Sequence, residues 1–353
     1  MQAFENTKLK TWFLRNKRDL PWRESPTPYA VWVSEVMLQQ TQVAVVIPYF
    51  ERWMDRFPTV RHLAGAPLDD VIKLWEGLGY YSRARNLHEG ARYVVDHYQG
   101  ELPNCEEELE KIKGLGPYTV GAILSFAFHK KQAAVDGNVM RVLARYFLIQ
   151  EDISKTKTIK KLRLMAQSIL PDNESWITNE ALIELGATVC QRKPKCIQCP
   201  LQGSCLSYSH GMTAQIPCKS PNKDTIALHR SAAVIFYGDQ FLVKKVQKGK
   251  VMSDLHEFPY FETPPGGLAP EDLQQKIQEQ LTLRVKLEPS PSFPQIKHTF
   301  TRYRVSLSTA CYRCLSFAEV EGYSWLPMPK LMQLAFSSGH RQILNALNLS
   351  LSD

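Results

Sequence analysis

The stretch 111–145 constrains this chain more than any other. It opens Lys111-Ile112-Lys113-Gly114-Leu115-Gly116-Pro117-Tyr118-Thr119 and runs straight into the apolar segment 120–127. Two glycines one residue apart permit a hairpin with positive φ and a close backbone approach. The helix that follows aims free amides at whatever lies in front of the hairpin, and amides and helix dipole together favour an anion such as a phosphate. Seventeen residues after Thr119, Asp136-Gly137-Asn138-Val139 puts a carboxylate on a turn that starts another helical pattern. Gly-Leu-Gly alone also fits an ordinary turn between helices. The full order of hairpin, apolar helix and Val-Asp-Gly-Asn is the more specific signal.

The 353 residues around that stretch are enough for two domains. Helical apolar spacing marks 4–18, 29–41, 48–57, 68–75, 87–98, 106–112, 120–128, 159–170 and 176–189, so ten to twelve helices and no strand are expected before residue 226. Residues 213–225 have the Pro- and Lys-bearing composition of a linker. Beyond them the pattern changes to alternation: 232–245 reads as a hairpin about Gly238-Asp239, and 303–311 as a strand. Segments 271–281 and 330–347 are helical. The expected division is a helical domain at 1–212, a linker at 213–225 and an α+β domain at 226–353.

No run approaches the roughly 18 apolar residues of a membrane span, and the first residues lack the apolar core of a signal peptide. The expectation is a monomer with no membrane partner, placed in the cytoplasm, with the nucleoid if the cell is bacterial. A formal charge of +8 leaves a polyanionic partner open without identifying one.

Three features outside the hairpin carry chemistry. Glu35 sits in the middle of the apolar helix 29–41, with no Lys or Arg within ten residues on either side. A carboxyl desolvated in this way has a raised pKa, which suits a general acid near neutrality; the plainer alternative is a Glu bonded to a neighbouring helix end. Gly77-Leu78-Gly79-Tyr80-Tyr81-Ser82-Arg83 combines glycines, paired tyrosines and arginine. It suits wedging a ring between bases and holding phosphates, or simply capping a helix turn with aromatics.

The third feature is a set of cysteines. With no secretion signal, eight of them argue against a disulfide framework. Four fall within sixteen residues, as Cys190-x5-Cys196-x2-Cys199-x5-Cys205. Such thiolates hold zinc or a four-iron cluster, and a structural zinc usually shows two tight Cys-x2-Cys pairs where this chain has one. Cys311 and Cys314 lie three apart in alternating sequence. They point to opposite faces of a strand and read as core.

Taken together, these segments resemble the helix-hairpin-helix DNA glycosylases. The cysteine spacing is similar to the [4Fe–4S] loop of endonuclease III and the MutY adenine glycosylases, although the first gap there is usually six residues. The segments Leu20-Pro21-Trp22-Arg23, Val33-Ser34-Glu35-Val36-Met37-Leu38-Gln39-Gln40-Thr41, Gly77 to Asn86 and Val135-Asp136-Gly137-Asn138-Val139 resemble the MutY family in particular, over about residues 9–210. The resemblance implies an all-α helix-hairpin-helix glycosylase domain with an iron–sulfur loop, followed by an α+β Nudix-like domain. It implies hydrolysis of adenine from double-stranded DNA where adenine is mispaired with 8-oxoguanine or guanine. Endonuclease III carries a nucleophilic lysine where this chain has Tyr118, so base removal without efficient strand cleavage is implied.

The same resemblance assigns roles. Glu35 would protonate adenine and later accept a proton from water, and Asp136 would stabilise the cationic sugar. Tyr118 and Asn138 would position Asp136. Trp22, Arg23 and Glu180 would line the extruded base, Gln40 and Tyr80 would enter the duplex, and Gly114 and Gly116 would face a phosphate. Cys190, Cys196, Cys199 and Cys205 would hold the [4Fe–4S] cluster.

In the second domain, Leu255-His256-Glu257-Phe258-Pro259 resembles a Trp-Glu-Phe-Pro segment with His for Trp. Glutamines at Gln274, Gln275 and Gln278 replace most metal-binding glutamates of the hydrolase box, which implies a recognition module without hydrolysis. Phe300-Thr301-Arg302 stands where the family has a Phe-Ser-His loop that touches 8-oxoguanine. The rival expectations are a thymine mismatch glycosylase and a non-catalytic iron–sulfur DNA-binding protein.

Overall fold

A computed structural model describes the chain except residues 1–3, 222–223, 248, 290–292, 294, 301 and 353. It divides into two compact units, one of residues 1–66 and 85–221, the other of residues 67–84 and 222–353. The division is discontinuous in sequence, whereas the expected boundaries were continuous. The excursion 67–84 is grouped with the C-terminal segment because it is fastened there. Glu76 takes hydrogen bonds from Phe336 N (2.8 Å) and from Nε and Nη2 of Arg341 (2.7 and 3.0 Å), and Lys245 pairs with Asp69.

The helices, in chain order, are α1 Asn6–Asn16, α2 Pro21–Glu24, α3 Pro28–Leu38, α4 Val43–Arg56, α5 Val60–Gly65, α6 Leu68–Leu74, α7 Ser82–Tyr98, α8 Glu106–Leu109, α9 Pro117–Ala122, α10 Gly137–Tyr146, α11 Thr156–Ile169, α12 Ser175–Thr188 and α13 Leu206–Ser209. As expected, among the described residues strand structure begins only at Ile226.

Several helices differ from expectation; the one expected over 87–98 begins at Ser82. The helix expected from Pro48 begins at Val43 and carries Pro48 inside it, at the cost of one backbone bond. The helix expected over 106–112 stops at Leu109. The apolar helix after the hairpin begins at Pro117, and at Ile123–Ala127 it widens into a π-helical turn. Such turns often occur at functional sites.

The core of the first unit joins Leu9 and Phe13 of α1, Val139, Val142 and Leu143 of α10, Leu162 and Ala166 of α11, and Ala181, Leu182 and Leu185 of α12. α10 presents this apolar stripe because Asp136 caps its first turn, its side chain accepting from Val139 N at 2.7 Å. Buried Arg145, at the other end of α10, donates to the backbone oxygens of Ile216, Gln191 and Arg192 and to Cys190 Sγ. It thereby pins the cysteine loop to the helix.

In the second unit, β1 Ile226–Tyr237 and β2 Gln240–Lys245 form the expected hairpin, with Phe236 opposite Phe241. β3 His256–Glu257, β4 Tyr260–Glu262, β5 Val285–Glu288, β6 Ile296–Phe300, β7 Tyr303–Cys314 and β8 Ser324–Pro327 complete the sheet. The central order is β3-β2-β1-β7-β5; β1 and β7 run parallel, with Ile226 opposite Tyr303. Period-two alternation sends Ala232, Val234 and Cys311 to one face and Ala233, Ile235, Tyr312 and Cys314 to the other. The two cysteines are therefore core residues on opposite faces.

Helix α14 Pro270–Leu281 covers the second face. The helix expected over 330–347 is two, α15 Met328–Gln333 and α16 Ser338–Ser352. The break falls where Phe336 leaves the helix to bridge His256 and to donate its N–H to Glu76.

Candidate active site

A cavity of about 860 Å3 opens in the first unit. Its lining includes Trp22, Arg23, Glu35, Gln40, Gly114, Gly116, Tyr118, Asp136, Asn138 and Glu180, drawn from α2, α3, the hairpin, α9, the start of α10, and α12. Helical periodicity alone fixes none of these meetings; Tyr118 and Glu35 are 83 residues apart.

Glu35 lies near the C-terminal end of α3, where nearly every side chain is buried, and is itself 7% exposed. Tyr118, from the first turn of α9, donates its hydroxyl to Glu35 Oε2 at 2.5 Å. Burial raises the Glu35 pKa to about 7. The Tyr118 hydrogen bond opposes the rise, Asp136 and Glu180 add to it, and Arg23 counters it. Burial likewise pushes the Tyr118 phenol well up, so it stays protonated as a donor.

Asp136 is held differently. Burial pushes its pKa up, while hydrogen bonds from Val139 N (2.7 Å) and Asn138 Nδ2 (2.7 Å) favour its charged form. Asn138 is oriented in turn by Arg141, whose Nη2 donates to Asn138 Oδ1 (2.7 Å) and to Gly186 O (2.8 Å). Gly186 must be a glycine, since a Cβ there would stand 2.6 Å from Asn138 Cβ. A Cβ at Gly121 would meet Ala133 O at 2.3 Å. Asn179 ties the segment before Asp136 to α12, bonding Ala134 N, Gln132 O and Ser125 Oγ. Asp136 is thus built in from three sides.

Arg23 donates from Nε to Glu180 Oε1 at 2.8 Å and from Nη2 to Glu184 Oε2 at 2.9 Å. Trp22 is buried edge-on against Phe50, with ring centroids 5.4 Å apart. His129 and Trp176 stack at 4.2 Å in the cavity wall. Gly114 has φ of 89°, and Gly116 is the N-cap of α9. Gln40 is exposed with φ of 58°.

Tyr80, 48% exposed with φ of 48°, belongs to the second unit. So do Phe300, whose ring packs on Tyr303 at 5.3 Å, and exposed Arg302. Thr301 lies outside the described residues.

Arg18, Asn179, Glu184, Arg141 and the His129–Trp176 pair were not singled out from sequence. The signals for Glu184 were its place in the segment 179–187, which resembles the same glycosylase families, and its spacing of four from Glu180, a pattern common on any helical face.

Cys190, Cys196, Cys199 and Cys205 line one small cavity of about 30 Å3 beside Arg145. Among the described residues no group of three or more His, Cys, Asp or Glu is set to hold a single metal ion. Burial pushes the Cys199 thiol up to about 12 and Cys205 upward, and the neighbouring cysteines add to both. A cationic group beside Cys199 and Cys205 would oppose that rise.

Residues 33–167 match the family model described as HhH-GPD superfamily base excision DNA repair protein, and residues 231–346 match the NUDIX domain. The chain is similar to an adenine DNA glycosylase of Buchnera aphidicola subsp. Baizongia pistaciae (strain Bp). The two are 39% identical over 261 residues, covering 73% of this chain and 74% of that protein. It is 46% identical over 218 residues to an adenine DNA glycosylase of Mus musculus, covering 59% of this chain and 42% of the mouse protein. The chain therefore spans less than half the length of that relative.

Among solved structures, a thermostable thymine-DNA glycosylase superposes on 58% of this chain and 95% of its own, with TM-score 0.54 and 28% identity. A trapped endonuclease III–DNA covalent intermediate superposes on 59% of this chain and 95% of its own, with TM-score 0.51 and 25% identity.

Proposed function

Because this chain belongs to the adenine DNA glycosylase family, we propose that it excises adenine mispaired with 8-oxoguanine or guanine in duplex DNA, by hydrolysis and without strand scission. The observation that carries the reading is Glu35: a buried carboxyl raised to about 7, bonded to Tyr118 and lining one cavity with Asp136. A group half-protonated near neutrality is suited to give a proton and take one back.

The glycosidic bond is out of reach inside the stack, so the adenine must first be extruded into the cavity, against Trp22, Arg23 and Glu180. Glu35 protonates N7 of the base, with Tyr118 occupying Oε2 and leaving Oε1 for the proton. The C1′–N9 bond breaks, its electron pair leaves with adenine, and the sugar becomes an oxocarbenium ion. Ionised Asp136 stabilises that cation. Water then adds at C1′ and gives its proton to Glu35, which returns the enzyme to its starting state and leaves an abasic site. Asn138 keeps Asp136 charged.

Among the described residues no lysine lines the cavity, and by the sequence resemblance Tyr118 stands in the place of the nucleophilic lysine. That supports hydrolysis over a Schiff base. Gly114 and Gly116 would grip the backbone phosphate, Gln40 and Tyr80 would fill the duplex, and Phe300-Thr301-Arg302 would read the opposite base. The protein would act as a monomer.

Cys190, Cys196, Cys199 and Cys205 would hold a [4Fe–4S] cluster, which would clamp the loop. Residues Arg192, Lys193 and Lys195, exposed within that loop, would face the DNA backbone.

Oligonucleotide duplexes carrying A:8-oxoG, A:G, G:T and undamaged pairs test the reading in one experiment. Adenine release from the first two alone is expected. Release of thymine from G:T would replace the reading with that of a thymine glycosylase, and binding without release would replace it with a non-catalytic DNA-binding protein.

A further inference from the structure

We propose that Glu184, buried behind the pocket wall, is a positioning residue that clamps Arg23 and so sets the charge facing Glu35. The inference deepens the adenine-excision reading and rests on it for its meaning, though not for its test.

Glu184 is fully buried and is not among the residues that line the cavity. Both of its oxygens are engaged. Oε1 accepts from Arg18 Nε at 2.6 Å, and Oε2 accepts from Arg23 Nη2 at 2.9 Å and Arg18 Nη2 at 3.2 Å. Arg23 also donates from Nε to Glu180 Oε1 at 2.8 Å and from Nη1 to Arg18 O at 2.9 Å, and it lies over the Phe13 ring at 5.4 Å. Glu180 and Glu184 are one turn apart on α12, so their carboxylates face the same side. Without Glu184 the guanidinium would keep Glu180 as its one carboxylate partner and Arg18 O as a backbone acceptor, and Nη2 would lose its carboxylate. The second carboxylate holds the planar fork at two of its edges.

This network is also a charge balance, with two carboxylates against two guanidiniums. The groups facing Glu35 are Tyr118 from α9, Asp136 at the head of α10, Glu180 from α12 and Arg23 from α2; Asp136 and Glu180 disfavour its ionisation, and Arg23 favours it. If Glu184 loses its charge, the four-residue network carries one excess positive charge beside Glu35, which then ionises at lower pH. A purely architectural ion cluster between the α1–α2 turn and α12 would affect stability and leave this titration where it is.

The titration can be read without substrate. The melting temperature of the full chain minus that of Glu35→Gln, followed against pH, reports the ionisation of Glu35. Placing Glu184→Gln in both members of the pair should move the midpoint down by about one pH unit, equivalent to a tenfold change in the proton-binding constant. Adding Arg18→Gln to Glu184→Gln restores neutrality and should return the midpoint toward that of the parent. If the single variant fails to fold, Arg18→Gln alone removes the opposite charge from the same network and should move the midpoint up; an unmoved midpoint there overturns the inference.

An unmoved midpoint in Glu184→Gln, or a double variant displaced as far as the single one or further, overturns the inference. Excision of adenine from A:8-oxoG duplexes by the unaltered protein is scored separately. Its absence would remove the enzymatic reading without touching the titration result.

Discussion

The pocket of the first unit and the sheet of the second both bury charged groups, and they hold them in opposite ways. In the pocket each buried or half-buried acid has a donor aimed at it: Tyr118 for Glu35, Asn138 and Val139 N for Asp136, Arg23 for Glu180, Arg18 and Arg23 for Glu184. In the sheet the cations lie over rings, and Arg230 also reaches Glu262 Oε1 at 3.4 Å. Arg230 and Lys244 stand 4.5 and 4.9 Å from the Tyr260 centroid, and Glu257, 5% exposed, has no ion pair among the described residues. Arg230 Nε, Thr263 Oγ1, His298 Nδ1 and Thr309 Oγ1 are buried without a hydrogen-bond partner among the described residues. Buried His340 is pushed down to about 3, by desolvation first and then by His298 and the cations Arg230 and Lys244, and it is neutral at any working pH.

Proton transfer needs acids whose two protonation states are nearly balanced, and a balance requires partners. Cations over aromatic faces need no such partner to be held.

Removing the balanced acid should have the largest effect. Glu35→Gln keeps shape and loses the proton, so single-turnover adenine release should fall by about 10²–10⁴-fold with mismatch binding retained. Near-normal release would break the contrast between the regions. In the unaltered protein, release should decline as pH rises above about 7, because the acid must be protonated.

The same substitution should raise stability at alkaline pH. The folded pKa of Glu35 is raised to about 7 from an ordinary 4.5. Its contribution to stability is therefore fully present below about 4.5 and is lost as pH rises through about 7. At pH 8 Glu35→Gln should be more stable than the parent by up to about 3 kcal/mol. At pH 4 the two should melt together; a pH-independent difference would show that Glu35 is not the strained group.

Gly186→Ala should cost about 1–3 kcal/mol by overpacking, with an added loss of excision because the displaced neighbour is Asn138. Denaturant unfolding and single-turnover rates on one preparation separate the two effects. An active, parent-like variant would show that the Asp136 support is loose.

Deleting residues 226–353 should lower the preference for A:8-oxoG over A:G by about tenfold, or 1.4 kcal/mol, more than it lowers release from A:G. Every residue assigned to bond breaking precedes Cys190. The cut also strips Glu76 of Arg341 and so loosens the Tyr80 loop. An unchanged preference would remove the second unit from recognition.

The smallest signal is expected from Tyr118→Lys, which should give a minor borohydride-trapped complex with DNA. Lost excision with no trapped complex would misplace residue 118 relative to the sugar.

What could be read from the chain alone was local. Gly114 and Gly116, the Asp136 cap, the four-cysteine spacing and the change from helical period to alternation at 226 are each written within a few residues, because backbone conformation and periodicity are local properties. Glu35 was legible as an acid in an apolar helix for the same reason. Its sequence neighbourhood, however, contained no cation, whereas the folded pocket brings Arg23 and, through it, Glu184 and Arg18 to bear on it. The break at Phe336, the excursion 67–84, the π turn at Ile123–Ala127 and the glycine demanded at 186 were equally invisible. Each depends on a partner tens to hundreds of residues away, as Glu76 is from Arg341. Sequence by itself determined which groups are available and which helices carry them. Only the tertiary structure decided which charges face one another at what distance, and that decides where Glu35 holds its proton.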